Sequence, residues 1–278
     1  MLSMQDVRTI ATGLDHPEGV TLGSDGMLYA GGEAGQVYTI DPVSGAVEQI
    51  ADIPGGFMLG LAHDAEGSTY ICDAGNAAVW KIGKDGTAER WCESAGGGPF
   101  ACPNWPAFAP DGSLIVSDSG TEDPALADGR VVRVPPGGGD AEVLEIRPLQ
   151  FSNGLAVHGD GTIVVLESFG HRLVALSESG VEEIATFGTS IPDGVAITAD
   201  GGYIVSMYYP YEIYHVAPGG GQPELLLHDR HGIVFPMPTN VCFYGDDLTS
   251  LAIASLGGHS LSSVELTIAG APLQYPAA

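Results

Sequence analysis

One phrase occurs six times in this chain and limits what it can fold into more than any single residue does. A small turn leads into a short apolar run, a second turn falls at an Asp-Gly-like pair, and a β-rich stretch follows. The copies begin at His16-Pro17-Glu18-Gly19-Val20, Leu59-Gly60-Leu61, Asn104-Trp105-Pro106, Asn153-Gly154-Leu155, Asp193-Gly194-Val195 and Thr239-Asn240-Val241. In five of them the residue after the anchor is followed seven positions later by the glycine of the second turn: Gly19 to Gly26, Gly60 to Gly67, Trp105 to Gly112, Gly154 to Gly161 and Gly194 to Gly201. The sixth copy has Asp247 there. Glu18, Leu59, Asn104, Asn153, Asp193 and Thr239 are thus equivalent anchors, spaced by 41, 45, 49, 40 and 46 residues.

That period suits a four-stranded propeller blade. In the first copy the strands read as Gly19–Leu22, Met27–Ala30, Gln36–Ile40 and Val47–Ile50. Short alternating runs broken by Gly, Asp and Pro are all-β in character, and no long stretch has helical spacing. The 41 glycines and 19 prolines belong to the many turns this requires. The expectation is an all-β, six-bladed β-propeller of four-stranded blades around a central channel, forming one domain over residues 1–278. Asp6–Ile10 is expected to pair with the last blade and close the ring, which removes exposed edges.

Nine basic against 35 acidic residues give a formal charge of −26. Such a surface repels nucleic acid and anionic membranes. The N-terminal residues lack a basic-then-apolar signal pattern, and no apolar run is long enough to span a bilayer. Cys72, Cys92, Cys102 and Cys242 show no CxxC spacing, so reduced thiols and a cytoplasmic location are expected. No G-x-S-x-G, P-loop or dinucleotide fingerprint is present. Oligomeric state is not legible.

In a propeller the residue just before each inner strand lies at one mouth of the channel. The six anchors should therefore converge, bringing two carboxylates (Glu18, Asp193) and two carboxamides (Asn104, Asn153) together. Such a group is costly unless a cation bridges it or a pKa rises. Oxygen-only ligands suit hard ions. The competing reading is that Asn153-Gly154 and Pro192-Asp193-Gly194 are ordinary turns. Glu18 argues against it, because glutamate is a poor turn residue. Among the histidines, His63 and His158 fall in inner strands as packing residues, and His16 stands close enough to Glu18 to support it.

These motifs together resemble the gluconolactonase/regucalcin/luciferin-regenerating-enzyme family of six-bladed propellers. The residues that carry the resemblance are His16–Val20, Phe151-Ser152-Asn153-Gly154-Leu155, Ile191-Pro192-Asp193-Gly194-Val195, Pro238-Thr239-Asn240-Val241 and the stretch Glu167–Leu173. The resemblance implies a metal-dependent lactonase acting on a small-molecule lactone. Glu18, Asn153 and Asp193 would be the metal ligands, Asp193 also the general base, and Asn104 a contact to substrate or water. The implied cofactor is one divalent cation, Ca2+ first, with Mg2+, Mn2+, Zn2+ or Fe2+ as alternatives. Strictosidine-synthase-like or phosphotriesterase-like chemistry and a non-catalytic binding propeller are the other readings. The chain departs from the family at Cys102-Pro103-Asn104-Trp105, where an arginine and a second acid are often found. With Phe57, Met58, Trp105, Tyr208 and Tyr209 near the blade mouths, a lactone less polar than an aldonolactone is expected.

Overall fold

The computed structural model describes residues 2–144, 147–177 and 180–277. Among them are six four-stranded antiparallel sheets, arranged as the repeat requires, and one two-stranded hairpin, Ser94–Ala95 with Gly98–Pro99. The inner strands of blades 1 to 6 are Val20–Leu22, Met58–His63, Pro103–Phe108, Ser152–Val157, Ile191–Ile197 and Pro238–Tyr244. Blade 1 continues outward through Leu28–Gly31, Gln36–Ile40 and Val47–Asp52, within two residues of the strands read from its sequence.

The ring closes through the N-terminus. Arg8–Thr12 is the outer strand of blade 6, with Arg8 opposite Ser263 and Thr12 opposite Ser260. The strand starts two residues later than expected from sequence. Residues 4–6 form a 3-10 turn instead, held by reciprocal capping between Ser3 and Asp6.

The apolar core is a set of layers between neighbouring blades. Tyr29, Val37 and Ile53 of blade 1 pack on Met58, Ile71 and Ile82 of blade 2, and similar layers continue around the ring. The layer joining the last blade to the first contains Leu28 and Ile40 against Ala252 and Leu261. Met58 is a fully buried member of this packing and Trp105 is also buried, so neither belongs to a substrate rim. Tyr209 is exposed and Tyr208 partly so.

The glycines that follow the anchors have a role that turn chemistry does not explain. A Cβ on Gly19, Gly60, Gly154 or Gly194 would come closer than 3.0 Å to the carbonyl oxygen of the next blade's anchor: Leu59, Asn104, Asp193 and Thr239 respectively. Only a residue without a side chain lets the inner strands approach this closely. Blade 3 has Trp105 in that register, and its ring fills the space left bare by Gly60. Between the last blade and the first, the Thr239 hydroxyl donates to the Glu18 carbonyl at 2.6 Å.

Candidate active site

The anchors do not precede their strands, as the sequence suggested. In blades 2 to 6 they lie inside them, each at an irregularity of the ladder: Met58/Leu61, Pro103/Trp105, Ser152/Leu155, Pro192/Val195 and Pro238/Asn240. In blade 1 pairing starts only at Val20, two residues past Glu18. A bulge breaks the alternation of side chains and re-aims one of them. Asn153-Gly154 and Asp193-Gly194 are therefore bulged strand, and the hairpin-turn reading is excluded.

A bulge also leaves amides without ladder partners, and serines on the adjacent strands accept two of them. Ser117 Oγ accepts from the Trp105 amide at 3.0 Å, and Ser206 Oγ from the Gly194 amide at 3.1 Å. Backbone donors are thus satisfied while the anchor side chains stay free to point to the axis.

Glu18, Asn104, Asn153 and Asp193 are all buried, at 6, 4, 5 and 7 % exposure. Glu18 acts electrostatically on Asp193, and Asn153 hydrogen-bonds the Asp193 carboxylate. Burial pushes the carboxyl of Asp193 well above the usual aspartate range. The Glu18 charge adds to that rise, and the Asn153 hydrogen bond opposes it. Burial alone raises Glu18. Neither acid forms an ion pair with a Lys or Arg among the described residues. Asp193 is thereby linked to two of the other expected site residues, to Asn153 by a hydrogen bond and to Glu18 through its charge. Asn104 occupies the equivalent register of blade 3, and its Oδ1 is buried without a hydrogen-bond partner.

Ser168 lies in the Glu167–Leu173 stretch that carries the family resemblance. Its hydroxyl accepts from Asn153 Nδ2 at 3.1 Å and donates to the Pro192 carbonyl at 2.7 Å. It thus joins the carboxamide of blade 4 to the backbone beside Asp193. Fifteen residues separate it from its anchor, as fifteen separate Ser119 from Asn104. The repeat was the signal that could have singled it out.

A second set of buried acids lies farther out. Asp73, Asp118 and Glu167 each end the second strand of a blade, fourteen residues after its anchor. Each accepts from backbone just ahead of that anchor. Asp73 takes the Phe57 amide at 2.9 Å, Asp118 the Cys102 amide at 2.7 Å, and Glu167 the Gln150 amide at 2.9 Å. Arg130 pairs with Asp118 at 2.8 Å, while Arg147 and Arg172 both reach Glu167 at 2.7 Å. These acids hold the loops that lead to the site.

The channel also contains a cavity of about 130 Å3 beyond the anchors. Val20, Leu61, Trp105, Leu155 and Val195 line it, and the C-terminal segment Ala271–Tyr275 covers it. The Tyr275 hydroxyl donates to the Leu22 carbonyl at 3.0 Å, and the Ala271 amide to Ile197 at 2.9 Å. None of the lining residues is a carboxylate, so the axial acids are set apart from this apolar end. His63 and His158 line it, as packing residues should; His158 Nε2 is 2.9 Å from the Tyr203 hydroxyl. His16 does not support Glu18; its Nδ1 lies 3.1 Å from both Asp15 and Glu33.

The pattern described by the sequence repeat and the axial anchors is that of a known group. The SMP-30/Gluconolactonase/LRE-like region matches residues 16–257. The chain belongs to this family. Among solved structures it is similar to a gluconolactonase from Xanthomonas campestris, at 22 % identity with a TM-score of 0.77, covering 94 % of this chain and 89 % of that one. It is similar as well to a calcium-binding protein, regucalcin, from Agrobacterium tumefaciens (14 % identity, TM-score 0.77, 97 % and 98 % covered). A luciferin-regenerating enzyme gives 17 % identity and a TM-score of 0.77, with 98 % and 99 % covered. At these identities the likenesses establish the fold. No functionally curated protein matches the chain. Family membership supports a hydrolytic propeller enzyme of gluconolactonase type. No helix among the described residues is long and apolar enough to cross a membrane.

Proposed function

We propose that the axial cluster is the active centre of a divalent-cation-dependent lactonase. The observation that carries this reading is the burial of Glu18 and Asp193 within reach of each other's charge, with no basic side chain among the described residues paired to either. Two like charges in such a place hold a proton or a cation. The donor set fits a hard ion: two carboxylates, the Asn153 carboxamide, and an unpartnered Asn104 Oδ1 nearby in register. Glu18, Asn153 and Asp193 would hold the ion, with Ca2+ favoured over Mg2+, Mn2+, Zn2+ or Fe2+. When bound it would supply Lewis acidity toward a lactone carbonyl oxygen.

The remaining steps belong to the chain. Asn104 Oδ1 accepts a hydrogen bond from the attacking water and fixes its direction. Asp193 takes a proton from that water as its oxygen bonds to the carbonyl carbon. The same proton passes to the ring oxygen as the C–O bond breaks, which gives a hydroxy acid and restores the carboxylate. Asn153, tethered through Ser168, keeps the Asp193 carboxylate oriented throughout.

The stretch Cys102-Pro103-Asn104-Trp105 has no arginine, and the half-buried Tyr208 lies close enough to Asp193 to feel its charge. This supports a lactone less polar than an aldonolactone. Four free thiols, three of them buried, suit a reducing cytoplasm. The test is a panel of alkyl lactones, an aldonolactone and a phosphotriester, assayed after chelation and again with added Ca2+. Ring opening should vanish with chelator, return with Ca2+, and favour the alkyl lactones. Tight Ca2+ binding with no turnover of any lactone or ester would leave a binding propeller instead.

A further inference from the structure

We propose that Asp15, His16, Glu33 and His259 form a second cation site, for a borderline transition metal such as Zn2+ or Ni2+, across the seam where the ring closes. Asp15, His16 and His259 each present a ligand atom within 4.8 Å of the others. Their origins are far apart in sequence. Asp15 and His16 lead into blade 1, Glu33 sits in the turn after Leu28–Gly31, and His259 precedes Ser260–Glu265 of blade 6. The Gly13 and Leu14 amides both donate to the His259 carbonyl, so the seam places these side chains face to face.

The local bonding is incomplete in a way that a cation would complete. His16 Nδ1 is 3.1 Å from Asp15 Oδ1 and 3.1 Å from Glu33 Oε2. One ring nitrogen carries at most one proton and cannot serve two carboxylates fully. The same separations fit the ligand–ligand edges of a tetrahedral zinc centre, about 3.3 Å for bonds of ~2.0 Å. His259 Nδ1 is 3.1 Å from the Leu14 carbonyl. A carbonyl only accepts, so the proton sits on Nδ1 and Nε2 keeps the lone pair, the tautomer typical of a ligating imidazole. Gln36 Nε2 donates to Asp15 Oδ2 at 3.1 Å and leaves Oδ1 toward His16. The two imidazole centroids are 4.3 Å apart, and His259 is the exposed member of the group.

The donor chemistry separates this site from the axial one. Nitrogen with oxygen prefers zinc or nickel, whereas the axial oxygens prefer Ca2+ or Mg2+. A cation here ties the first blade to the last, so it should stabilise the closed ring by mass action.

The test uses tag-free protein stripped with chelator and titrated with Zn2+ alone by equilibrium dialysis, in wild type, His259→Ala, Glu33→Gln and Glu18→Gln. Wild type and Glu18→Gln should both retain this Zn2+ equivalent, and its binding should raise Tm by about 5 °C at a hundredfold excess over Kd. His259→Ala should lose that equivalent and that rise, and Glu33→Gln should weaken binding roughly tenfold. With Co2+ as probe, the visible absorption of a nitrogen-ligated centre should appear in wild type and disappear in His259→Ala. A His259→Ala isotherm equal to wild type, or loss of all Zn2+ in Glu18→Gln, overturns the proposal. Neither result depends on whether the axial cluster opens lactones.

Discussion

The propeller buries two kinds of carboxylate, and they are built on opposite principles. Glu167 lies under two arginines and a backbone amide, and its pKa falls below the usual glutamate range. Burial works against that fall, and the Arg147 and Arg172 contacts with the Gln150 amide outweigh it. Glu18 and Asp193 are buried as well, with each other and the Asn153 carboxamide for company, and both are raised. The outer acids are closed structures whose hydrogen-bonding capacity is used up. The axial pair is left incomplete, which costs stability in the isolated chain and creates affinity for a cation. Burial of an acid is therefore no guide to function in this fold. Asp73 is satisfied by the Phe57 and Asn76 amides, Asn76 Nδ2 and Trp80 Nε1 without any base among the described residues. What sets the axial acids apart is that neither a base nor a set of such donors fills them.

The largest expected effect tests the axial half of that contrast. Asp193→Asn should lower kcat/KM for lactone opening by more than about 10²–10⁴-fold, because the residue both binds the ion and moves the proton. Full activity in this variant would break the assignment. Next comes a pair of substitutions with opposite signs. Glu167→Ala leaves two arginines and the Gln150 amide without their acceptor and should cost roughly 3 kcal/mol in denaturant unfolding. Glu18→Gln removes a buried charge that has no basic partner, so the chelated protein should be as stable as wild type or more so. Equal losses from both would erase the distinction.

The pH dependence sharpens it further. Glu18 binds its proton more tightly when folded, with a pKa pushed up to about 8. Its contribution is complete below the unfolded value near 4.5 and is lost as pH rises from there toward 8. Glu167 has the reverse sign: its contribution is present above the unfolded value and is lost as pH falls through its lowered folded pKa. Thermal melts of the chelated protein should thus decline as pH rises from about 4.5 to about 8. Glu18→Gln should flatten that decline and leave the acid limb alone. The smallest effect is at the tether. Ser168→Ala frees Asn153 Nδ2 and should weaken Ca2+ binding about tenfold, with little change in Tm.

Much of this was legible beforehand because a repeat makes equivalent positions visible. The four polar anchors, Glu18, Asn104, Asn153 and Asp193, followed from alignment of the copies, and ring symmetry turns equivalent register into proximity. The glycines were read as turn formers, although Gly19, Gly60, Gly154 and Gly194 act by letting strands touch. That role depends on the neighbouring blade, which no local pattern describes. Met58 and Trp105 were placed near a rim by register and are core, because a bulge reverses which way a side chain faces.

What the sequence determined by itself was therefore the period, the number of blades and the identity of the residues sharing one register. These are properties of the order of residues along the chain, and six copies report them together. The tertiary structure alone decided which acids are paired and which are not, how Ser168 joins Asn153 to the strand of Asp193, and that His16 meets His259. Each of these is a contact across blades, set by bulges and ring closure.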